Sequence, residues 1–235
     1  MSRWAQISYV AAVMGYRVGV VAPRDIPDAT VSRLPVYRRA LLDLASRGEI
    51  TVSSADLADL AGVNAAKVRK DLSYIGTSGV RGVGYDVEYL LLQIGEALGL
   101  DVASPVVVVG LGHLGQALAD YGGFSSRGFP IVALVDSDDD KIGSEIAGLP
   151  VQGPDVLPAL VRDLGVCVGI IATPAEAAQR VADLLVDAGV RSILTFAPTV
   201  LNVPDSIPVR KVDLATELQI LSYYEQRHRE GDKTA

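Results

Sequence analysis

Between residues 31 and 98 the apolar positions recur every three or four residues, the period of helices buried along one side. In 31–46 they fall at Leu34, Tyr37, Leu41 and Leu44, and Pro35 fits only near the start of such a helix. Thr51 and Val52 make a short extended segment. Ser53, with Asp56 three residues on, is a capping box that opens a helix over 54–61, and Gly62 ends it. Asn64 then caps a third helix over 65–75. A short helix, a glycine turn and a second helix are the spacing of a helix-turn-helix. On the third helix Val68, Leu72 and Ile75 share one face, while Lys67, Arg69, Lys70, Ser73 and Tyr74 fall off it. The Gly-rich stretch 76–85, with Arg81 and Gly82 at its middle, predicts a β-hairpin. A stripe at Tyr89, Leu90, Ile94 and Leu98 predicts a helix over 86–98, and 99–105 reads as a linker.

Beyond residue 105 the pattern changes. The run 106–109 is continuously apolar, and strand-like segments at 129–135, 166–172, 192–196 and 209–212 follow it, alternating with helical periods that begin near 113, 154, 175 and 213. Uninterrupted apolar runs are expected of parallel strands buried on both faces, and the alternation predicts an α/β Rossmann domain with a doubly wound parallel sheet. The expected organisation is a disordered extension over 1–28 and a winged helix over 29–86, with its helix-turn-helix at about 37–76. A Rossmann domain over 104–212 and a C-terminal helix over 213–228 follow. Leu214, Leu218, Leu221 and Tyr224 form a stripe on that last helix, which packs either on its own domain or on a second subunit.

Chemistry enters at the first apolar strand. It runs into Gly110-Leu111-Gly112-His113-Leu114-Gly115, a G-x-G-x-x-G between strand and helix, which is the context a dinucleotide fingerprint requires. Asp136 ends the second strand, 21 residues past Gly115, where an acid accepts from adenosine ribose hydroxyls and repels a 2′-phosphate. The bland reading of Asp136 is the opening of the acidic turn 136–140. Thr173, Pro174, Phe196, Ala197 and Pro198 follow later strands and are candidates for the nicotinamide half of the pocket, since ligands bind at the carboxyl ends of parallel strands. The candidate DNA contacts are Ser53, Asn64, Lys67, Arg69, Lys70, Ser73, Tyr74, Arg81 and Gly82, on a helix suited to a major groove and on a wing.

Charge supports this division. The net charge is −7, yet residues 29–85 carry eight Lys and Arg against five Asp and Glu, a net of +3, while residues 86–235 hold −11. Such a chain grips phosphate locally and is no general polyanion binder. The single cysteine, Cys167, forms no internal disulfide and fits a reducing cytoplasm. No run is long enough to span a bilayer. The apolar stretch 9–16, flanked by Arg3 and Arg17, gives only a weak signal-peptide reading. The two histidines, His113 and His228, are poorly placed as a dehydrogenase base, and no His/Cys cluster suggests zinc. A cofactor site without catalytic groups points to sensing.

On these residues the chain resembles the Rex family of redox-sensing transcriptional repressors, over roughly 29–228. Val68-Arg69-Lys70-Asp71-Leu72-Ser73-Tyr74 is similar to the family's recognition helix and Arg81-Gly82-Val83-Gly84-Tyr85 to its wing. Gly110–Gly115 with 116–124 is similar to its nucleotide loop, and Phe196-Ala197-Pro198 and Val212-Asp213-Leu214 complete the pattern. The resemblance implies a non-enzymatic homodimer that binds a palindromic operator and senses NADH and NAD+, with no metal. It implies half-sites about 34–36 Å apart or a multiple of that, subunits joined through their Rossmann domains, and an exchanged C-terminal helix. It also implies an allosteric switch. Tyr121 would lie near the nicotinamide, and the partner's Asp213 would pair with Tyr121 when NADH is bound or with Arg39 in the DNA-competent form. Read alone, Arg39 is a solvated helix residue, Asp213 a helix N-cap and Tyr121 a helix-end aromatic. His113 occupies a variable position, and Thr195 stands where an Asn is expected. The alternatives are an NAD-dependent oxidoreductase with an added regulatory domain, or a regulator sensing another adenine ligand such as CoA.

Overall fold

The computed structural model describes residues 26–232. The chain divides into two compact units, one ending at Asp101 and the other starting at Val102. The expectation for 1–28 lies outside the described residues except at 26–28, where Ile26 packs against the first unit's core and Asp28 opens a helix.

The first unit contains α1 (Asp28–Val31), α2 (Leu34–Ser46), β1 (Thr51–Val52), α3 (Ser54–Ala61), α4 (Ala65–Tyr74), β2 (Tyr85–Asp86) and α5 (Val87–Ala97). The helix expected over 31–46 starts only at Leu34, after a break at Ser32 and Arg33. Pro35 explains the break, because its ring would collide with the Val31 carbonyl in a continuous helix. Leu34, Tyr37 and Leu41 of α2, Leu57 of α3, Val68 and Leu72 of α4, and Leu90 and Ile94 of α5 make one core. Ser53 Oγ accepts from the Ala55 and Asp56 amides and donates to the Asp56 carboxylate, so α3 is capped as its sequence indicates. Gly62, in the left-handed region, turns the chain into α4, whose first turn Asn64 caps through the Lys67 amide. The expected hairpin over 76–85 is a tighter structure. Val80 and Gly84 form a single antiparallel bridge, and the strand proper is β2, paired with β1 through Thr51↔Asp86 and Val52↔Tyr85. Residues 79–84 include three glycines and offer few side chains to stabilise a second ladder.

The second unit is a seven-stranded sheet. Its strands are β3 (Val106–Val109), β4 (Ile131–Val135), β5 (Glu145–Ile146), β6 (Leu149–Gln152), β7 (Val168–Ile171), β8 (Ser192–Thr195) and β9 (Val209–Lys211). The order is β5-β6-β4-β3-β7-β8-β9, and all pairs are parallel except β5 with β6. The helices are α6 (His113–Ala119), α7 (Leu157–Leu164), α8 (Ala175–Asp187) and α9 (Leu214–Asp232). Strand alternation sorts the core onto two faces. Val107 and Val109 join a cluster with Leu157 of α7 and Leu185 of α8. Val106 and Val108 join a second cluster against which Leu118 of α6 packs. The edge hairpin β5–β6 has no counterpart in the apolar pattern, because its strands are short and of mixed polarity.

Candidate nucleotide cleft and nucleic-acid interface

The glycine loop is shaped by crowding. Gly110 sits at φ +93°, and a Cβ there would lie 2.6 Å from Thr173 Cγ2 and 2.9 Å from the Ala172 carbonyl carbon. A Cβ on Gly115 would run into the Gly110 carbonyl oxygen, so this glycine lets α6 close onto the end of β3. The open amino end of α6 thereby stands over the strand, an arrangement that favours an anion. Gln116 Nε2 donates to the Leu111 carbonyl at 3.0 Å and fixes the loop from below.

Asp136, 8% exposed, follows β4 beside this loop. Its Oδ2 accepts from the Leu111 amide at 2.6 Å and from Lys141 Nζ at 3.2 Å, while Oδ1 accepts from the Asp138 amide at 2.9 Å. Burial alone would raise this carboxyl, but the hydrogen bonds outweigh it and hold it below the usual carboxylate range. Asp136 is therefore an anion at neutral pH. Lys141, which also meets Asp138 at 3.2 Å, was not singled out in the sequence; its spacing from two acids was the available signal.

A cleft of about 480 Å³ opens here, lined by Gly110, Asp136, Ser137 and Thr173, with Pro154 and Arg180 farther along. Among the described residues Thr173 Oγ1 is buried without a hydrogen-bond partner. A partnerless hydroxyl in a cleft with an ionised acid and a glycine-cleared backbone fits the adenosine half of a dinucleotide. The cleft brings together three of the expected residues, Gly110, Asp136 and Thr173, although Thr173 was expected at the nicotinamide half and stands instead beside the acid. Leu111 is buried, whereas Gly112, His113 and Leu114 are exposed at the start of α6. Pro174 and Pro198 are exposed, Phe196 is half-buried and Ala197 is buried; none of them lines the cleft. Thr195 is buried and its Oγ1 accepts from the Ala197 amide at 3.1 Å, which shapes the turn after β8.

The first unit offers a groove of about 580 Å³ between α4 and the wing. It is lined by Ser53, Ser54, Arg69, Ser73 and residues 77–85, which include Arg81 and Gly82. Arg69 Nη1 donates to Ser54 Oγ at 3.0 Å, so the guanidinium is held against α3. Asn64, Lys67, Lys70 and Tyr74 line a separate groove of about 380 Å³ on the other flank of α4, with Thr30, Arg33 and Asp71. The expected DNA contacts thus divide between two flanks of one helix. Asp71 is the residue the pattern hid: it is a charged side chain on the buried face, 1% exposed.

The three residues that the resemblance implies for a switch are divided between the two units. Arg39 is exposed on α2. Tyr121 is 48% exposed after α6 and packs edge-on against Phe124 with ring centroids 4.9 Å apart. Asp213 accepts from the Ala215 and Thr216 amides at 3.2 and 3.3 Å as the cap of α9, and it pairs with Lys211 at 3.2 Å. The hydrogen bond from Lys211 holds its carboxyl below the usual range. Among the described residues no group of three or more His, Cys, Asp or Glu is arranged to hold a metal ion. No helix of the described residues is long and apolar enough to cross a membrane.

The comparisons agree with this division. The family profile described as "Putative DNA-binding protein N-terminus" matches residues 25–73, and that described as "CoA binding domain" matches residues 101–199. The redox-sensing transcriptional repressor Rex of Streptomyces coelicolor is 60% identical over 212 residues, covering 90% of this chain and 82% of that protein. Rex of Carboxydothermus hydrogenoformans is 53% identical over 198 residues, 84% of this chain and 95% of that protein. Among solved structures, RSP, a Rex-family repressor, in complex with beta-NAD+ and operator DNA matches with a TM-score of 0.81 at 33% identity, over 88% of this chain and 96% of that one. RSP in complex with beta-NADH matches with a TM-score of 0.79 at 31% identity, over 90% and 99%.

Proposed function

The chain belongs to the Rex family of redox-sensing transcriptional repressors, and from that membership we propose that NADH in the second unit's cleft releases operator DNA from the first. The observation that carries this reading is the Gly110, Asp136 and Thr173 cradle on a chain that also bears a basic-faced helix-turn-helix. Arg69, Ser73 and Arg81 address one flank of the recognition helix, and Lys67 and Lys70 the other. The helix itself enters the major groove and the wing runs along the backbone. Asp136 takes the adenosine ribose hydroxyls, Thr173 Oγ1 gains its missing partner from the ligand, and the amino end of α6 faces the pyrophosphate.

The repressor acts as a homodimer in the cytoplasm and reads a palindromic operator. The exposed stripe Leu214, Leu218, Leu221 and Tyr224 on α9 supports this, since a contiguous apolar face on a terminal helix is expected to be covered by another subunit. Asp213 of one protomer then meets Tyr121 or Arg39 of its partner according to the ligand. The chain performs no turnover: it reads the coenzyme and returns it unchanged.

A second reading has one observation in its favour, the match of residues 101–199 to a CoA-binding profile. Chemistry favours the dinucleotide. CoA carries a phosphate on its ribose, and the Asp136 anion would oppose it at close range.

The test is a gel-shift series on a duplex selected by the protein from a random pool. NADH is expected to release the duplex at concentrations where NAD+ and CoA do not, and nicotinamide absorbance is expected to stay constant throughout. Release by CoA and not by NADH would transfer the cleft to the second reading. Retention of the duplex under every nucleotide would end the sensing proposal.

A further inference from the structure

The recognition helix is held from behind by an unusual group for a core. Asp71 lies midway along α4, 1% exposed, on the face that also carries Val68 and Leu72. Its carboxylate accepts from Arg33 Nε at 2.6 Å, Arg33 Nη2 at 2.7 Å, Tyr37 Oη at 2.7 Å and Thr30 Oγ1 at 2.9 Å. The donors sit on α1, at the corner after it and on α2. Their spacing of three and four residues places them along one side of that bent helix pair.

We propose that Asp71 is a positioning residue for sequence reading: its carboxylate clamps α4 to the α1–α2 corner and fixes the roll at which the basic face of α4 meets base edges. The inference rests on the operator-binding reading of the same helix. Apolar contacts resist separation but are non-directional, so Val68 and Leu72 alone leave α4 free to roll a little. Hydrogen bonds are directional, and a bidentate guanidinium–carboxylate pair fixes a plane as well as a distance. The outer face needs such control. Side-chain tips stand about 5–6 Å from a helix axis, so a roll of ~20° moves them by about 2 Å, enough to lose a base-edge hydrogen bond. Stability alone does not explain the choice of residues. A buried ion pair is often no better than apolar residues of the same volume, and fixing register is its best-attested use. Phosphate contacts tolerate such a roll better, because a cation near a phosphate is less dependent on angle. The clamp therefore acts on specificity rather than on affinity for DNA in general.

The experiment uses the full chain with two probes: a duplex selected by the wild-type protein from a random pool, and a scrambled duplex of equal length and composition. Tyr37→Phe removes one hydroxyl, and Arg33→Lys keeps the charge but loses the fork. Both are milder than Asp71→Asn, which removes the charge and replaces one of the two shared acceptor oxygens with a donor. Binding is read by fluorescence anisotropy, folding by circular dichroism, and the second unit by NADH titration. The milder variants are expected to keep the wild-type spectrum, the NADH titration and affinity for the scrambled duplex within about twofold. Affinity for the selected duplex falls about tenfold in Arg33→Lys, comparable to one mismatched base pair, and less in Tyr37→Phe. An unchanged ratio between the duplexes in both variants overturns the clamp. So does an equal loss on both duplexes, which would make Arg33 a phosphate contact or the network merely structural. A wild-type chain with no preference between the duplexes instead overturns the operator reading itself.

Discussion

The carboxylate after β4 carries the sharpest expectation in the nucleotide cleft. Asp136→Ala removes a charged acceptor, worth ~1.5–3 kcal/mol, so NADH affinity should fall about 10- to 150-fold in a fluorescence titration. Duplex binding without nucleotide should be unchanged; an unaltered NADH titration would remove Asp136 from the site. Asp71 gives a prediction with pH. Burial raises its carboxyl, but bonds from Arg33, Tyr37 and Thr30 dominate and hold it below the usual range. Burial, reinforced by the same contact, pushes the Tyr37 phenol up to about 12. Because the folded carboxyl titrates below its unfolded value of about 3.9, the unfolded chain binds the proton first. The stabilisation is complete above that value and drains as pH falls through the depressed folded one. Urea unfolding followed by circular dichroism between pH 3 and pH 6, both roughly set by that window, should show a steeper loss for wild type than for Asp71→Asn. Parallel curves would contradict the sign. These two acids also mark how far single residues were legible. The place of Asp136 beside the glycine loop was readable because a strand, that loop and a fixed spacing all pointed to it. Asp71 was not, because periodicity assigns charged residues outward, and its three partners lie between 34 and 41 residues away.

The wing shows what an element depends on beyond its own pattern. Gly84 sits at φ +100°, and a Cβ there would run into the Val52 carbonyl that belongs to the β1–β2 pairing. Gly84→Ala must bend the loop away or open that pair. The expected loss is about 1–3 kcal/mol for a strained backbone position, read as an earlier unfolding transition of the first unit, with weakened duplex binding and an unchanged NADH titration. A variant with wild-type unfolding and duplex affinity would show that the loop is slack. The same feature explains why the wing was only partly readable. Glycine density announced a turn, but the partner strand of Tyr85 and Asp86 is Thr51 and Val52, more than thirty residues upstream. Elements set by local chemistry were the legible ones: the Ser53 and Asn64 caps, the Gly62 turn, and the four consecutive buried valines of β3. The β5–β6 hairpin was not, since it holds the sheet edge with a turn at Ala147 and Gly148 rather than with an apolar run.

For the molecule as a whole, the proposed sensor requires that two sites on separate units share one free energy. If NADH weakens duplex binding by some factor, the duplex must weaken NADH binding by the same factor, whatever structure carries the coupling. The magnitude expected of such systems is ~1–3 kcal/mol, about 5- to 150-fold. The prediction is checked by two titrations at one salt concentration: NADH into the free chain and into the chain saturated with selected duplex. Salt must be held fixed because neutralisation of phosphates by the proposed contacts Lys67, Arg69, Lys70 and Arg81 would make duplex affinity steeply salt-dependent, whereas NADH presents only a pyrophosphate. Equal NADH affinity with and without duplex would refute the coupling even if both ligands bind well. A chain ending after Asp213 sharpens the result. Without α9 and its exposed Leu214, Leu218, Leu221 and Tyr224, the chain should sediment as a monomer, keep Asp136 and the glycine loop intact, and still bind NADH. If the two subunits carry the signal, the coupling factor should then fall to one. A monomer that retained the full factor would place the communication inside each chain, and the exchanged-helix account would have to be abandoned while the nucleotide site stood.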